Sequence, residues 1–250
     1  MRGRFRYLLL FPFTLVVSAQ PAQGACVDPA QLAHSVLSIT RHFANMETRQ
    51  NRNLTGVQGS GWYLSPTTIV TAEHVVAAME LSTEDWKPLE IMDGDGSQLI
   101  AARIIRVAGD QAEKLAVIEL QRAVAAAQII AIREEPLVPE EPVMTLAFPA
   151  GRFHHVSGRF VQFGDGGKLT GMALLELYEG ENRLAVDHGA SGAPVVDCGG
   201  RVAAVVSNTF TQSLYWAQRE IRISTAWGTP NVVSVPVQAL RDLSKSSSSR

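Results

Sequence analysis

From Ser35 onward the chain alternates short apolar runs with turn residues at close spacing. SVLSITRHFA (35–44), SGWYLS (60–65), TTIVTA (67–72), LIAARIIRVA (99–108) and LAVIEL (115–120) are rich in Val, Ile and aromatic side chains. Gly, Pro, Asp or Ser stands near their ends, which is how strands read. PVMTLAF (142–148), GRFVQF (158–163), MALLELY (172–178), APVVD (193–197) and RVAAVVS (201–207) repeat the habit in the second half. So many short strands predict barrels or sandwiches. Helical periodicity is confined to AEHVVAAM (72–79), AVAAAQ (123–128) and VQALRDL (237–243).

Between the two strand-rich halves lies REEPLVPEEP (133–142), acidic and with three prolines. Proline lacks an N–H and fixes φ, so this stretch suits neither a helix nor a central strand. It predicts a linker between one β unit at 25–132 and another at 143–235, with a helix and a low-complexity tail at 236–250. The tail, SKSSSSR (244–250), has no apolar residue with which to form a core.

Composition narrows the picture. With 250 residues, 46% hydrophobic and 18% charged, the chain has apolar mass for one large domain or two compact lobes. A formal net charge of −2 implies no broad basic surface and argues against a nucleic-acid partner. The N-terminus reads as a secretory signal peptide over 1–24: MRGRFR supplies positive charge, YLLLFPFTLVVSA the apolar stretch, and QPAQGA small residues for cleavage before Ala25. The apolar stretch is short of the ~20 residues that span a bilayer, so no stable membrane anchor is expected. Export places the chain in the periplasm or outside the cell. It also permits a disulfide between the two cysteines, Cys26 and Cys198, whose spacing leaves pairing and two separate thiols equally open. No Cys, His and acidic cluster has metal-ligand spacing, so neither a metal nor an organic cofactor is expected.

The candidate chemistry lies in DHGASGAPVV (187–196), where Ser191 is boxed in by Gly189, Ala190, Gly192, Ala193 and Pro194. Small neighbours suit a plain turn, and they equally suit a nucleophile that must be exposed beside backbone N–H groups. A nucleophilic serine needs a base. Of six histidines, at 34, 42, 74, 154, 155 and 188, only His74 has an informative setting, at the end of a strand–turn–strand run, GSGWYLSPTTIVTAEHVV (59–76).

TAEH resembles the T-A-x-H motif of the chymotrypsin-like (trypsin-like) serine peptidases, and GASGAP resembles their G-x-S-G-x-P motif. GSGWYLSP, EEPVMTLAFPAG and GGRVAAVVSN are similar to further stretches of the bacterial exported branch, in the same order, so the likeness runs from about Ser35 to about Leu243. An α/β-hydrolase fits poorly: its histidine follows its serine, and Ala193 occupies the last glycine of its G-x-S-x-G elbow. The resemblance implies an all-β fold of two six-stranded antiparallel barrels with a short C-terminal helix, without a PDZ domain. It implies a polypeptide substrate, Ser191 as nucleophile, His74 as general base, and the N–H groups of Gly189 and Ser191 as an oxyanion hole.

The third triad position departs from the pattern. The family's aspartate begins a D-[LI]-A-[VL] motif, and here GDQAEKLAVIEL (109–120) puts Lys114 in its place. A charged lysine cannot accept the imidazole N–H and disfavours the imidazolium. Glu113 or Asp110 could supply the carboxylate. With neither, a weak dyad or a peptide-binding module remains. By the same resemblance, Ala185 lies at the base of the primary pocket, with Val205, Val206 and Ser207 on its wall, which implies a small or medium apolar residue at P1. Ala190 replaces the aspartate of digestive zymogens, so activation through a salt bridge to a new N-terminus is not expected. His154-His155 reads as polar surface, Arg183 and Asp187 as a possible ion pair, His188 as structural or pocket-lining, and Asn53-Leu54-Thr55 as a chance match to a glycosylation acceptor.

Overall fold

The computed structural model describes residues 26–44, 56–77, 86–106, 115–148, 152–179, 183–184, 189–209, 211–216, 219–224, 230–236, 238–239 and 241. Its first half contributes β1 (Val36–His42), β2 (Gly56–Ser65), β3 (Thr68–Ala72), a short helix α1 (Glu73–Ala77), β4 (Glu90–Met92), β5 (Gln98–Leu99), β6 (Ala101–Arg106) and β7 (Leu115–Leu120). The second half contributes β8 (Pro142–Ala147), β9 (His154–Phe163), β10 (Ala173–Glu179), β11 (Arg183–Leu184), β12 (Pro194–Asp197), β13 (Val202–Thr209), β14 (Thr211–Trp216), β15 (Arg219–Ser224) and β16 (Val232–Pro236).

The first sheet runs β5-β4-β1-β2-β3-β7-β6, with every pairing antiparallel. Its two edge strands, β5 and β6, are consecutive and separated by Ile100 alone, so the edges meet at that corner. The second sheet runs β11-β10-β16-β13-β12-β8-β9, and β9 pairs again with β10. That extra pairing closes a six-stranded ring and leaves β11, two residues long, as an appendage of β10. Closure removes edges that would otherwise invite pairing with another chain. β14 and β15 form a separate hairpin.

All ten strands read from apolar runs are present. β4, β5, β11, β14, β15 and β16 are additional. β16 is buried along its whole length, so it shows no alternation of apolar and polar residues. AVAAAQ (123–128) is a correction: it forms no helix and contains only a turn at 125–126. Six residues hardly repay the cost of helix nucleation. Instead Val124 N–H donates to Pro66 O at 2.9 Å, and Val124 and Ala127 rest on the first barrel's core. Helical residues do occur at 238–239 and 241.

Each barrel has its own core, and a third cluster joins them. Leu37, Ile39, Tyr63, Ile69, Ile91 and Ile118 fill the first barrel. Phe160, Leu175, Leu177, Val195 and Val206 fill the second. Val36, Trp62, Val70 and Leu115 of the first meet Met144, Leu146, Val205 and Val235 of the second in one buried cluster. Each such side chain contributes about 1.5–3 kcal/mol on full burial, so the barrels are held firmly together. The proline-rich segment has no regular strand before Pro142, which opens β8, and it is tightly held. Leu137 is buried, Arg133 N–H donates to Val202 O at 3.0 Å, and the buried Arg133 guanidinium pairs with Glu141 and lies 3.8 Å from Asp197.

Cys26 and Cys198 form a disulfide across 172 positions, beside a 3.0 Å bond from Val27 N–H to Cys198 O. It ties the segment ahead of the 3₁₀ helix Pro29–Ser35 to the turn between β12 and β13. Closing so long a loop restricts the unfolded chain. Replacing both cysteines by serine is expected to lower stability by about 2–4 kcal/mol. Urea unfolding under non-reducing conditions reads this directly, and an unchanged midpoint would show that the bridge contributes nothing.

Candidate active site

Ser191 stands in a β-turn of four residues. Ala190 C=O accepts from Ala193 N–H at 2.9 Å, so Ser191 and Gly192 occupy the two central positions. Gly192 has φ +88°, the left-handed value that the third residue of a type II turn requires and that glycine adopts without steric cost. Gly189, just before the turn, has φ +97°. The GASGAP spacing is thus a turn requirement and an access requirement together: Ser191 is half-buried while Gly189, Ala190, Gly192 and Ala193 are buried. Beyond the turn, Gly192 N–H donates to Val206 O at 2.8 Å and Val206 N–H to Ala193 O at 2.9 Å, which seats the turn on β13. The N–H groups of Gly189 and Ser191 have no acceptor among the described residues.

The first barrel holds the turn from the other side. Ser60 N–H on β2 donates to Ser191 O at 2.8 Å, and the Ser60 hydroxyl donates to Gly189 O at 2.6 Å. Thr71, at the end of β3, donates its hydroxyl to Ser60 O at 2.8 Å. Two glycines make this approach possible. A Cβ on Gly192 would lie 2.2 Å from Ser60 O and 2.8 Å from Ala72 N, and one on Gly59 would lie 2.4 Å from Val75 Cγ2 and 3.0 Å from Ser191 O. Ala72 and Val75 bracket His74, so the serine turn and the histidine segment converge on the same corner of the two barrels.

His74 is the second residue of α1, whose Val75 and Val76 are buried in the first barrel. The packing of those valines anchors the segment and leaves the imidazole side exposed. Desolvation nevertheless pushes the His74 pKa below the usual 6.5. The two observations concern different scales: the ring has accessible surface, but its surroundings are rich enough in protein to disfavour the charged form. At neutral pH the ring is therefore neutral and able to accept a proton.

Asp110, Glu113 and Lys114, the contenders for the third position, lie outside the described residues, as do Ala185, Asp187 and His188. So do residues 1–24, which the sequence reads as a signal peptide, Asn53-Leu54-Thr55 and residues 244–250. Arg183 lies in β11. Val205 and Val206 are fully buried, one in the cluster between the barrels and the other in the second barrel's core. Alternation along β13 turns them to opposite sides, and residues 185–188, which would face them across the expected pocket, lie outside the described residues. Ser207 keeps 8% of its surface. His154 and His155 open β9, where successive side chains face opposite ways, which is not a metal pair's arrangement. No group of three or more potential metal ligands occurs among the described residues.

Sequence reasoning missed the polar groups that join the barrels at the site: Ser60, which reaches Gly189 O and Ser191 O, and Phe148, whose N–H donates to Ser60 Oγ at 2.9 Å, with Thr71 holding Ser60 from its own barrel. GSG was legible as a strand motif and Thr71 as a motif position. What their hydrogen bonds reach depends on how the barrels dock.

A family model for the trypsin-like peptidase domain matches residues 59–205, more than half of the chain. A search of curated protein sequences finds no match. Among solved structures, the chain is similar to the active form of Rv3671c protease from M. tuberculosis, with a TM-score of 0.59, 17% identity, and coverage of 96% of this chain and 92% of that one. The inactive form of the same protease gives 0.55 and 17%, covering 86% and 90%. Its serine-to-alanine mutant gives 0.54 and 16%, covering 86% and 88%. At such identities the structural likeness speaks for the fold, which is the chymotrypsin-like pair of β-barrels. With the serine turn and the histidine segment meeting at one corner and the family model spanning both, the chain belongs to the trypsin-like peptidase family.

Proposed function

We propose that the protein is an exported serine endopeptidase working through a Ser191 acyl-enzyme. The observation that carries this reading is the Ser191 turn itself. Its serine is accessible, two backbone N–H groups are without acceptors among the described residues, and it is fixed against β2 and lies close to the end of β3, which leads into His74. In the reaction, His74 takes the Ser191 proton as the Oγ attacks the scissile carbonyl. The tetrahedral oxyanion forms within reach of Gly189 N–H and Ser191 N–H, and His74 then passes its proton to the leaving amine. Water, activated by His74, hydrolyses the ester and restores the serine.

The proposed substrate is a polypeptide cut after a small or medium apolar residue, because Ala185 supplies no acidic group for Lys or Arg. Glu113 and Asp110 are the proposed carboxylates for His74. Lys114 motivates a second reading, a peptidase fold that binds peptides and cleaves them poorly, since a cation beside the imidazole opposes its protonation.

Labelling by a fluorophosphonate probe, followed across pH, tests the proposal. The parent should label and the Ser191→Ala variant should not. Only neutral His74 can accept the serine proton, so the second-order rate should rise with pH and level off above the histidine's pKa. Because desolvation lowers that pKa, the midpoint of the acid limb is expected below 6.5. A parent that stays unlabelled while a folded Lys114→Asp variant labels would transfer support to the peptide-binding reading.

A further inference from the structure

We infer that Ser60 is a positioning residue for the proposed oxyanion donors, an inference that rests on the Ser191 reading above. Ser60 is fully buried on β2, in the opposite barrel from the nucleophile. Four of its hydrogen bonds bear on the site, and three of these cross to the second barrel. Its N–H donates to Ser191 O at 2.8 Å, its hydroxyl donates to Gly189 O at 2.6 Å, and its Oγ accepts from Phe148 N–H at 2.9 Å. The fourth links its own C=O to the Thr71 hydroxyl at 2.8 Å.

The polarity of this arrangement is fixed by chemistry. A backbone N–H can only donate and a carbonyl can only accept. With Phe148 N–H directed at Oγ, the serine hydrogen is directed to Gly189 O. Phe148 follows the last residue of β8, so one hydroxyl links the end of that strand to the nucleophile turn.

That link matters because Gly189 has φ +97° and no side chain to hold it. A glycine there lets the backbone reach the required conformation, but it also permits others. The relative direction of Gly189 N–H and Ser191 N–H depends on the torsions of Gly189 and Ala190. The Gly189 carbonyl lies between the two donors along the chain, and the Ser60 hydroxyl pins it. The Ser60 N–H pins the next carbonyl but one, that of Ser191. The peptide carrying Ser191 N–H is therefore clamped from both sides by one residue.

Donors aimed before the substrate arrives need no reorganisation in the transition state, so loosening them lowers kcat more than it raises KM. Ser60→Ala removes the hydroxyl and keeps the N–H. We expect fluorophosphonate labelling slower by about 10–100-fold, a matching fall in kcat for a peptide substrate, and a KM within about threefold of the parent. Affinity for a peptide boronic acid, which forms a tetrahedral adduct, should fall by a similar factor. Ser60→Cys puts a larger and weaker donor in place of the hydroxyl and should label at an intermediate rate. If Ser60→Ala is unfolded by thermal melting, Ser60→Cys decides by the same criteria.

A folded variant that labels within twofold of the parent overturns the positioning role, as does a loss confined to KM. A parent that does not label at all overturns the Ser191 reading and this inference with it.

Discussion

Ser191→Ala and His74→Ala are each expected to lower kcat for a peptide substrate by about 10³–10⁶-fold, and the double variant by no more than the worse single one. The reason is that the two groups perform one step. Without the serine there is no atom for the histidine to activate, and without the histidine the hydroxyl keeps its proton at neutral pH. KM should change little, because neither group is needed to hold the ground-state peptide. Single-turnover rates on the two variants and the double variant measure this. Losses that multiplied in the double variant would mean that the residues act independently, and the acyl-enzyme proposal would fail. The lower end of the range applies if Lys114 already weakens the parent, since a less active starting point has less to lose.

The strands of both barrels were legible because their interior faces need Val, Ile, Leu and aromatics, and turn residues punctuate them. That signal is missing in several of the unread strands. β4 and β5 are three and two residues long. β16 reads VVSVP with every residue buried, which periodicity cannot assign. AVAAAQ failed in the opposite direction: alanine favours helix locally, but a backbone bond to Pro66 and packing against the barrel decide its conformation. At the site, the serine and histidine motifs were readable because a turn residue and a strand end have local sequence requirements. Ser60 was not readable in that sense. A serine on a buried strand announces only that its hydroxyl needs a partner, and both partners of Ser60 lie in the other barrel, 88 and 129 positions away.

At the site, a large stability effect is expected at Gly192. Its added methyl would lie 2.2 Å from Ser60 O, 2.3 Å from Thr71 Oγ1 and 2.8 Å from Ala72 N. Two of those atoms are backbone, and the third is held by its hydrogen bond to Ser60 O, so none can move aside cheaply. The φ of +88° adds a second cost, because an alanine there sets its Cβ against the neighbouring carbonyl. The left-handed conformation contributes about 1–2 kcal/mol and overpacking about 1–3 kcal/mol, so Gly192→Ala should destabilise the fold by roughly 2–5 kcal/mol. Gly166→Ala is the control. Its φ is −145° and nothing lies within 4 Å of its missing Cβ, so its effect should stay within about 0.5 kcal/mol. Urea unfolding of the two variants separates them. Relief of the clash requires the Ser191 turn to move away from β2, which lengthens the bond from Ser60 N–H to Ser191 O. Gly192→Ala protein that remains folded should therefore label with fluorophosphonate more slowly than its folded fraction accounts for. Equal unfolding midpoints in the two variants would show that the barrels do not approach each other at Gly192 as closely as these distances require.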